Sequence, residues 1–409
     1  MEIMSPVGNF ESLAAAIKAG ADSVYFGVEE LNMRTHGAKN FSLSEMKKLV
    51  ETCKKNKVKT YLTVNTIIYG DDLKTMKRII DAAKKNKIDA VIACDIAAIE
   101  YANSIKQEVH TSTQLNVSNF EAVKFFSKYS GAIVLARELS LKQIKEICDE
   151  IKKQKIKGPG GELVKVEIFC HGALCVSISG KCYMSLAQSN FSANRGKCLQ
   201  PCRRKYKVID EETGNELVID NNYVMSPKDL CTIKFLDKIL ESGVSILKIE
   251  GRARPAEYVY TVTKVYKEAV QSVGENSFTE KKVKKWIGEL ETVYNRGFWH
   301  GGYYLGKQLG EWAGCSGSKA TVRKIQLGKV VHYFGKKQVA HLDIQTNGIK
   351  KGDELLITGK KTGVVKIKVG EVYRDGVPAK GKVRGKDVTI FVEEKVREND
   401  SIFLLENKD

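Results

Sequence analysis

Residues 59–95 read KTYLTVNTIIYGDDLKTMKRIIDAAKKNKIDAVIACD, and this stretch decides the fold. Lys59–Asn65 has the β-branched and aromatic content of a strand. Asp71 then opens an amphipathic run of helical period over Asp72–Lys85, and Ala90–Asp95 is a second apolar strand. Strand, amphipathic helix and strand in that order make a parallel βα unit.

The unit recurs on both sides. Glu2–Pro6, Asp22–Val28, Val109–Asn116, Ala132–Glu138, Lys165–His171 and Ser245–Gly251 complete a set of eight strands. Eight alternating units point to an α/β fold, a (β/α)8 TIM-like barrel over residues 1–312, rather than to an open sheet. Helix starts support the reading. Asn9 can cap Phe10–Ala19, Ser42 with Glu45 forms a capping box, Ser118 precedes Asn119–Lys128, and Ser140 precedes Leu141–Lys153. Pro255 opens Ala256–Val273, and Ser226-Pro227 stands where a helix through Leu240 should begin.

One connection breaks the rhythm. Roughly 50 residues separate strand seven from Ser226, where a βα loop takes about 2–6. This Cys-rich insertion, about residues 173–225, leaves the C-terminal face of the barrel and contains an expected hairpin of Lys205–Asp210 with Glu216–Asp220. A helical and aromatic bridge, Phe278–Tyr304, leads to residues 318–409. There Lys329–Phe334, Gln338–Ile344, Asp353–Ile357, Val364–Val369, Val388–Val392 and Ser401–Leu405 predict a small C-terminal antiparallel β-barrel.

The 409 residues carry 67 Lys and Arg against 49 Asp and Glu, a net charge of +18. Such an excess favours nucleic acid or another polyanion as partner, the alternative being solvated helix faces such as Lys47-Lys48 and Lys84-Lys85. No apolar run approaches the roughly 18–20 residues of a membrane span, and the N-terminus shows no secretory pattern. The expected compartment is cytoplasmic and reducing, which disfavours disulfides.

Six of ten cysteines fall at Cys170, Cys175, Cys182, Cys198, Cys202 and Cys231. The close pair Cys198/Cys202 suits half a zinc site, but the seven-residue step from Cys175 to Cys182 suits the other half poorly. Iron–sulfur ligation tolerates wider spacing, so a [4Fe–4S] cluster is favoured over zinc. Cys170 reads as a barrel-wall thiol. Cys231 falls on the first turns of the expected Ser226 helix.

Glu167-Ile168-Phe169-Cys170-His171-Gly172-Ala173-Leu174-Cys175 followed by Gly180-Lys181-Cys182-Tyr183-Met184-Ser185 resembles the signature of the collagenase-like peptidases, unassigned peptidase family 32. The likeness extends to Met4–Gly8, Cys198–Tyr206, Ser226–Leu230, Lys248–Arg252 and Asn295–Phe298. Within the family, the resemblance is greatest to oxygen-independent tRNA hydroxylases that make 5-hydroxyuridine at the anticodon wobble position. It implies a [4Fe–4S] cluster, prephenate as co-substrate and tRNA, presented by its anticodon loop, as partner. Carried over, the cluster pattern falls on Cys175, Cys182, Cys198 and Cys231, with Cys202 as alternate ligand. Another RNA pyrimidine, a small aromatic substrate or peptide hydrolysis are the alternatives. His171 precedes Cys175 by four residues, but no His-Glu-x-x-His motif is present.

At the strand ends, Glu250, His110, Gln114 and Arg137 are the candidate catalytic residues, with His110 and Gln114 placed to bond a base or move a proton. Arg34, Arg137, Arg252 and Arg254 are candidates for a dicarboxylate, which suits bidentate guanidinium contacts. Gly251 would let a ligand approach the backbone. Arg137–Glu250 pairing is the structural alternative. Lys181, Arg195, Lys197, Arg203, Arg204, Lys205 and Lys207, interleaved with Tyr183, Phe191 and Tyr206, form the expected RNA-facing segment.

Overall fold

The computed structural model describes residues 1–178, 180–216, 223, 225–306 and 311–408. Its first strands and helices follow the expected alternation: β1 (Glu2–Pro6), α1 (Phe10–Lys18), β2 (Ser23–Gly27), α2 (Leu43–Lys55), β3 (Lys59–Val64) and α3 (Leu73–Lys85). They continue through β4 (Ala90–Ala93), α4 (Ile96–Ser104), β5 (Val109–Thr111), α5 (Phe120–Phe126), β6 (Ala132–Val134), α6 (Leu141–Lys153) and β7 (Lys165–Gly172). The caps are formed as the sequence demands. Asn9 Oδ1 accepts from Ser12 N at 2.8 Å, and Glu45 Oε2 accepts from Ser42 N at 2.9 Å. No described helix is long and apolar enough to cross a membrane.

The insertion contains a short helix, α7 (Met184–Ser189). The expected Ser226 helix is corrected by the structure. Asp229–Cys231 is a strand, β8, and the helix that follows, α8 (Leu236–Glu241), is short. Tertiary pairing overrides the local helix signal: β8 runs antiparallel to the end of β7, His171 opposite Cys231 and Gly172 opposite Leu230. It also runs parallel to the later strand Phe298–His300. Of the insertion hairpin, one bridge, Ile209 to Glu216, is present, and residues 217–220 lie outside the described residues.

β9 (Ile246–Ile249) closes the barrel, pairing in parallel with both β7 and β1. The eight parallel strands are thus β1–β7 and β9, ringed by helices ending with α9 (Ala256–Gly274). Met4, Tyr25, Tyr61, Ala90, Ile92, Ala132 and Ile246 fill the bore. After α10 (Glu280–Glu291) comes β10 (Phe298–His300), the parallel partner of β8.

The C-terminal region is all antiparallel: β11 (Val322–Phe334), β12 (Val339–Ile349), β13 (Glu354–Gly359), β14 (Gly363–Lys368), β15 (Val372–Arg374), β16 (Val377–Pro378), β17 (Val383–Phe391) and β18 (Ser401–Asn407). The strands run in the order β14-β13-β18-β11-β12-β17-β15-β16 around one apolar core that includes Leu342, Leu355 and Val388. The antiparallel C-terminal unit is thus present as expected, with β14 and β16 at the two ends of the strand order among the described residues. The domain rests on the two helices beside the barrel's closing strands. Leu356 and Val364 pack on Ala15 of α1 and Ala256 of α9, and Lys18 Nζ donates to Val364 O at 2.7 Å. The fit is close at Gly363, where a Cβ would meet Ala15 N at 2.8 Å.

Candidate functional site

The insertion folds back over the barrel mouth, and cationic side chains hold it there. Arg203, expected to face RNA, is instead a staple: it donates to Leu174 O at 2.5 Å, Pro227 O at 2.8 Å and Ser226 Oγ at 3.1 Å. Arg195 likewise bonds Ile67 O at 2.6 Å and pairs with Asp72. Lys207 pairs with Glu216, and Tyr206 Oη donates to Pro201 O at 2.8 Å. Lys181, Lys197, Arg204 and Tyr183 remain exposed.

Under the insertion lies a cavity of about 90 Å³ lined by Cys175, Cys182, Cys198 and Cys202, with Met33, Arg34, Gln114 and Arg137 on its barrel side. Three of these cysteines are those carried over from the family pattern. The fourth expected ligand, Cys231, is not on this cavity. It is fully buried in β8 opposite His171, where burial pushes its thiol to about 12. The alternate, Cys202, stands with the other three. Burial raises the Cys198 thiol, with Arg34 opposing, and raises Cys202 to about 11, with Arg203 opposing. Among the described residues, no three Cys, His, Asp or Glu side chains converge on a single-ion site. Four thiols lining one cavity are a donor set of the type an iron–sulfur cluster takes. Metal binding would displace their protons.

Beneath the thiols, Arg34 Nη2 lies 2.6 Å from Glu250 Oε1, and Tyr25 Oη donates to Ile249 O at 2.9 Å and to Glu250 Oε2 at 3.3 Å. Burial alone would raise the Glu250 carboxyl, but Arg34, Arg137 and Arg252 outweigh it and hold it at about 2. Glu250 is therefore a carboxylate at neutral pH, and its direct partner is Arg34 rather than Arg137. Arg137 takes part in no ion pair among the described residues. Its guanidinium lies 4.4 Å from the centre of the Phe169 ring, and its Nε is buried without a hydrogen-bond partner.

The other arginines are committed to the scaffold. Arg252 donates to Thr63 Oγ1 at 2.6 Å and Asn32 Oδ1 at 2.5 Å, and burial lowers its pKa to about 10. Arg254 lies 3.5 Å over the Tyr294 ring. Neither lines the thiol cavity. Gly251 also has a structural reason: a Cβ there would meet the Tyr258 ring at 2.5 Å.

His110 and Gln114 are separated. β5 ends at Thr111, so Gln114 sits on the turn that follows it, on the cavity, with its Oε1 accepting from Asn65 Nδ2 at 3.4 Å. His110 lies deeper, its ring 4.5 Å from Tyr61 and its Nδ1 3.7 Å from Glu167 Oε2. Glu167 in turn pairs with Lys248 Nζ at 2.7 Å. This buried layer was missed in the sequence, although Glu167 and Lys248 occupy inward positions of β7 and β9 at the strand period of two.

His171 is equally remote from protease chemistry. It is buried among Tyr258, Tyr266 and Phe298, its Nδ1 is 3.4 Å from Tyr266 Oη, and burial, then His300, lowers its pKa to about 3. No hydrogen bond joins it to Cys175 among the described residues.

The profile described as peptidase family U32 matches residues 8–314. A protein named collagenase from Porphyromonas gingivalis strain W83 is 50% identical over 408 residues, covering 100% of this chain and 98% of its own. A tRNA hydroxylation protein of Bacillus subtilis is 33% identical over 370 residues, covering 88% and 83%. The 23S rRNA 5-hydroxycytidine synthase of Escherichia coli is 31% identical over 384 residues, covering 92% of this chain and 55% of its own.

Proposed function

We propose that this chain, which belongs to peptidase family U32, is an iron–sulfur RNA hydroxylase that converts the wobble uridine of tRNA to 5-hydroxyuridine, with prephenate as co-substrate. The carrying observation is the convergence of Cys175, Cys182, Cys198 and Cys202 with Arg137 on one cavity above the barrel mouth. Those thiols would hold a [4Fe–4S] cluster, which supplies electron transfer or Lewis acidity when bound. The similarity to proteins named for tRNA and rRNA hydroxylation supports RNA as substrate, as does the charge of +18.

The chain's own groups have defined tasks in this reading. Arg137, which makes no direct ion pair among the described residues, binds a carboxylate of the dicarboxylic co-substrate. Ionised Glu250, anchored by Arg34 and Tyr25, accepts a hydrogen bond from the substrate. Gln114 offers an amide to the edge of a uracil held in the mouth, and the insertion excludes water from it. An anticodon loop presents its base unstacked, which lowers the cost of entry.

Peptide hydrolysis is the second reading, favoured by the 50% identical relative named collagenase. Against it stands His171, buried away in an aromatic cage and, among the described residues, not hydrogen-bonded to Cys175, since a thiol nucleophile needs a base. The deciding experiment is anaerobic reconstitution followed by iron and sulfide assay, with nucleoside mass spectrometry of tRNA treated with protein and prephenate. About four irons per chain and new 5-hydroxyuridine are expected. Cys202→Ser should lose most of the iron while Cys231→Ser retains it. Iron-free protein that cleaves gelatin and leaves tRNA unchanged would overturn the proposal.

A further inference from the structure

Tyr69 follows β3 at the mouth end of the barrel, and 55% of its surface is exposed. A large aromatic left so open on a catalytic rim calls for a reason. Its position is fixed on two sides. Tyr69 N donates to Asp72 Oδ2 at 2.9 Å, and the same carboxylate oxygen holds the Arg195 guanidinium. That guanidinium lies 4.2 Å from the centre of the Tyr69 ring. Arg195 also bonds Ile67 O, and Ile67 N donates to Asn194 O at 3.1 Å, so rim loop and insertion form one rigid lip. Ala193, two residues before Arg195, lines the thiol cavity. The exposed Lys197 lies near enough to act electrostatically on Asp72.

We propose that Tyr69 is a stacking platform for a nucleobase of single-stranded RNA, the neighbour of the base taken into the barrel mouth. The inference rests on the RNA reading above. A base drawn into the mouth leaves its neighbours unstacked at the rim, and a pre-positioned ring recovers that lost stacking. The guanidinium behind the ring adds a cation that favours both π-stacking and the adjacent phosphate. Because one carboxylate holds both the Tyr69 backbone and the guanidinium that lies against its ring, little ordering is left to do on binding.

The ring could instead serve only to anchor the insertion, and the test separates the two roles. The full chain is titrated with a short single-stranded oligouridylate. Tyr69→Leu, which keeps bulk beneath Arg195, should bind about tenfold more weakly, and Tyr69→Phe within about twofold of wild type. In Tyr69→Trp the new indole should be quenched by bound RNA beyond any change that the same RNA causes in wild type, whose emission comes from buried Trp286 and Trp299 and half-buried Trp312. Wild-type affinity in Tyr69→Leu, or unmoved emission from Tyr69→Trp with RNA bound, would overturn the platform and leave the RNA reading standing. A wild-type protein that binds no RNA defeats both. Quenching by a glycine- and proline-rich collagen peptide in place of RNA would overturn the nucleobase assignment.

Discussion

Lys248 and Glu250 stand two residues apart on the same wall of the barrel, yet they belong to two layers that use charge differently. In the lower layer Lys248 and Glu167 meet at 2.7 Å with side-chain exposures of 7% and 0%, flanked by His110 and by the Tyr25 and Phe169 rings. Lys248 and Glu167 answer one another there. In the upper layer Arg34 pairs directly with Glu250, while Arg137 acts on that carboxylate from a distance and, among the described residues, has no ion pair, its guanidinium lying on a ring face beside the cavity. A closed set of charges holds strands in register. A set with one cation left over holds something else.

The largest effect that would break this contrast lies below. Lys248→Met leaves the Glu167 carboxylate buried without its cation, and should cost about 3–5 kcal/mol of unfolding free energy, read from urea denaturation. Glu167→Leu combined with Lys248→Met should recover most of the loss. Equal stability of the single variant and wild type would show that the lower layer carries no structural load.

The upper layer should respond to acid. The Glu250 carboxyl is depressed from 4.5 to about 2, so its stabilising contribution is complete above pH 4.5 and is lost as the pH falls through 2. Arg34→Ala removes its main partner. The stability gap between wild type and this variant should narrow by the order of 3 kcal/mol between pH 4.5 and pH 2. A gap independent of pH would separate Glu250 from Arg34.

The smallest change tests the leftover cation. Arg137→Ala breaks no direct ion pair but removes one of the three cations that keep Glu250 ionised, so it should cost less stability than Arg34→Ala. The KM for the dicarboxylate should nevertheless rise about thirtyfold, near 2 kcal/mol. If stability falls and KM does not move, Arg137 is part of the scaffold like Arg252.

The barrel was legible because strand and helix periods alternate cleanly, and because Asn9, Ser42 and Ser140 cap where they should. Ser226-Pro227-Lys228-Asp229 reads locally as a helix start, but the edge left open at the end of β7 takes Asp229–Cys231 as a strand. No window of sequence contains that edge. The same limit governs the thiols: spacing along the chain cannot say that β8 carries Cys231 into the barrel wall while the turn at Pro201–Arg203 leaves Cys202 on the cavity. The β15–β16 hairpin was missed although Asp375-Gly376 signals a tight turn, with φ of 52° and 78°. Tyr69 carried no sequence signal, since its meaning depends on Arg195, far along the chain.

The contact between the C-terminal sheet and helices α1 and α9 bears on the order of assembly. The barrel is sealed where β1 meets β9, Ile3 opposite Leu247, so β1 waits for a partner far along the sequence. Leu356, Val364 and the Lys324–Glu257 ion pair at 2.6 Å then bridge the helices on either side of that seam. The C-terminal sheet thus works as a clasp on a pairing between strands far apart in sequence. Contacts so far apart in sequence form slowly. A lesion in this sheet should therefore loosen the barrel at its ends and leave the middle strands, β3 to β6, paired longest.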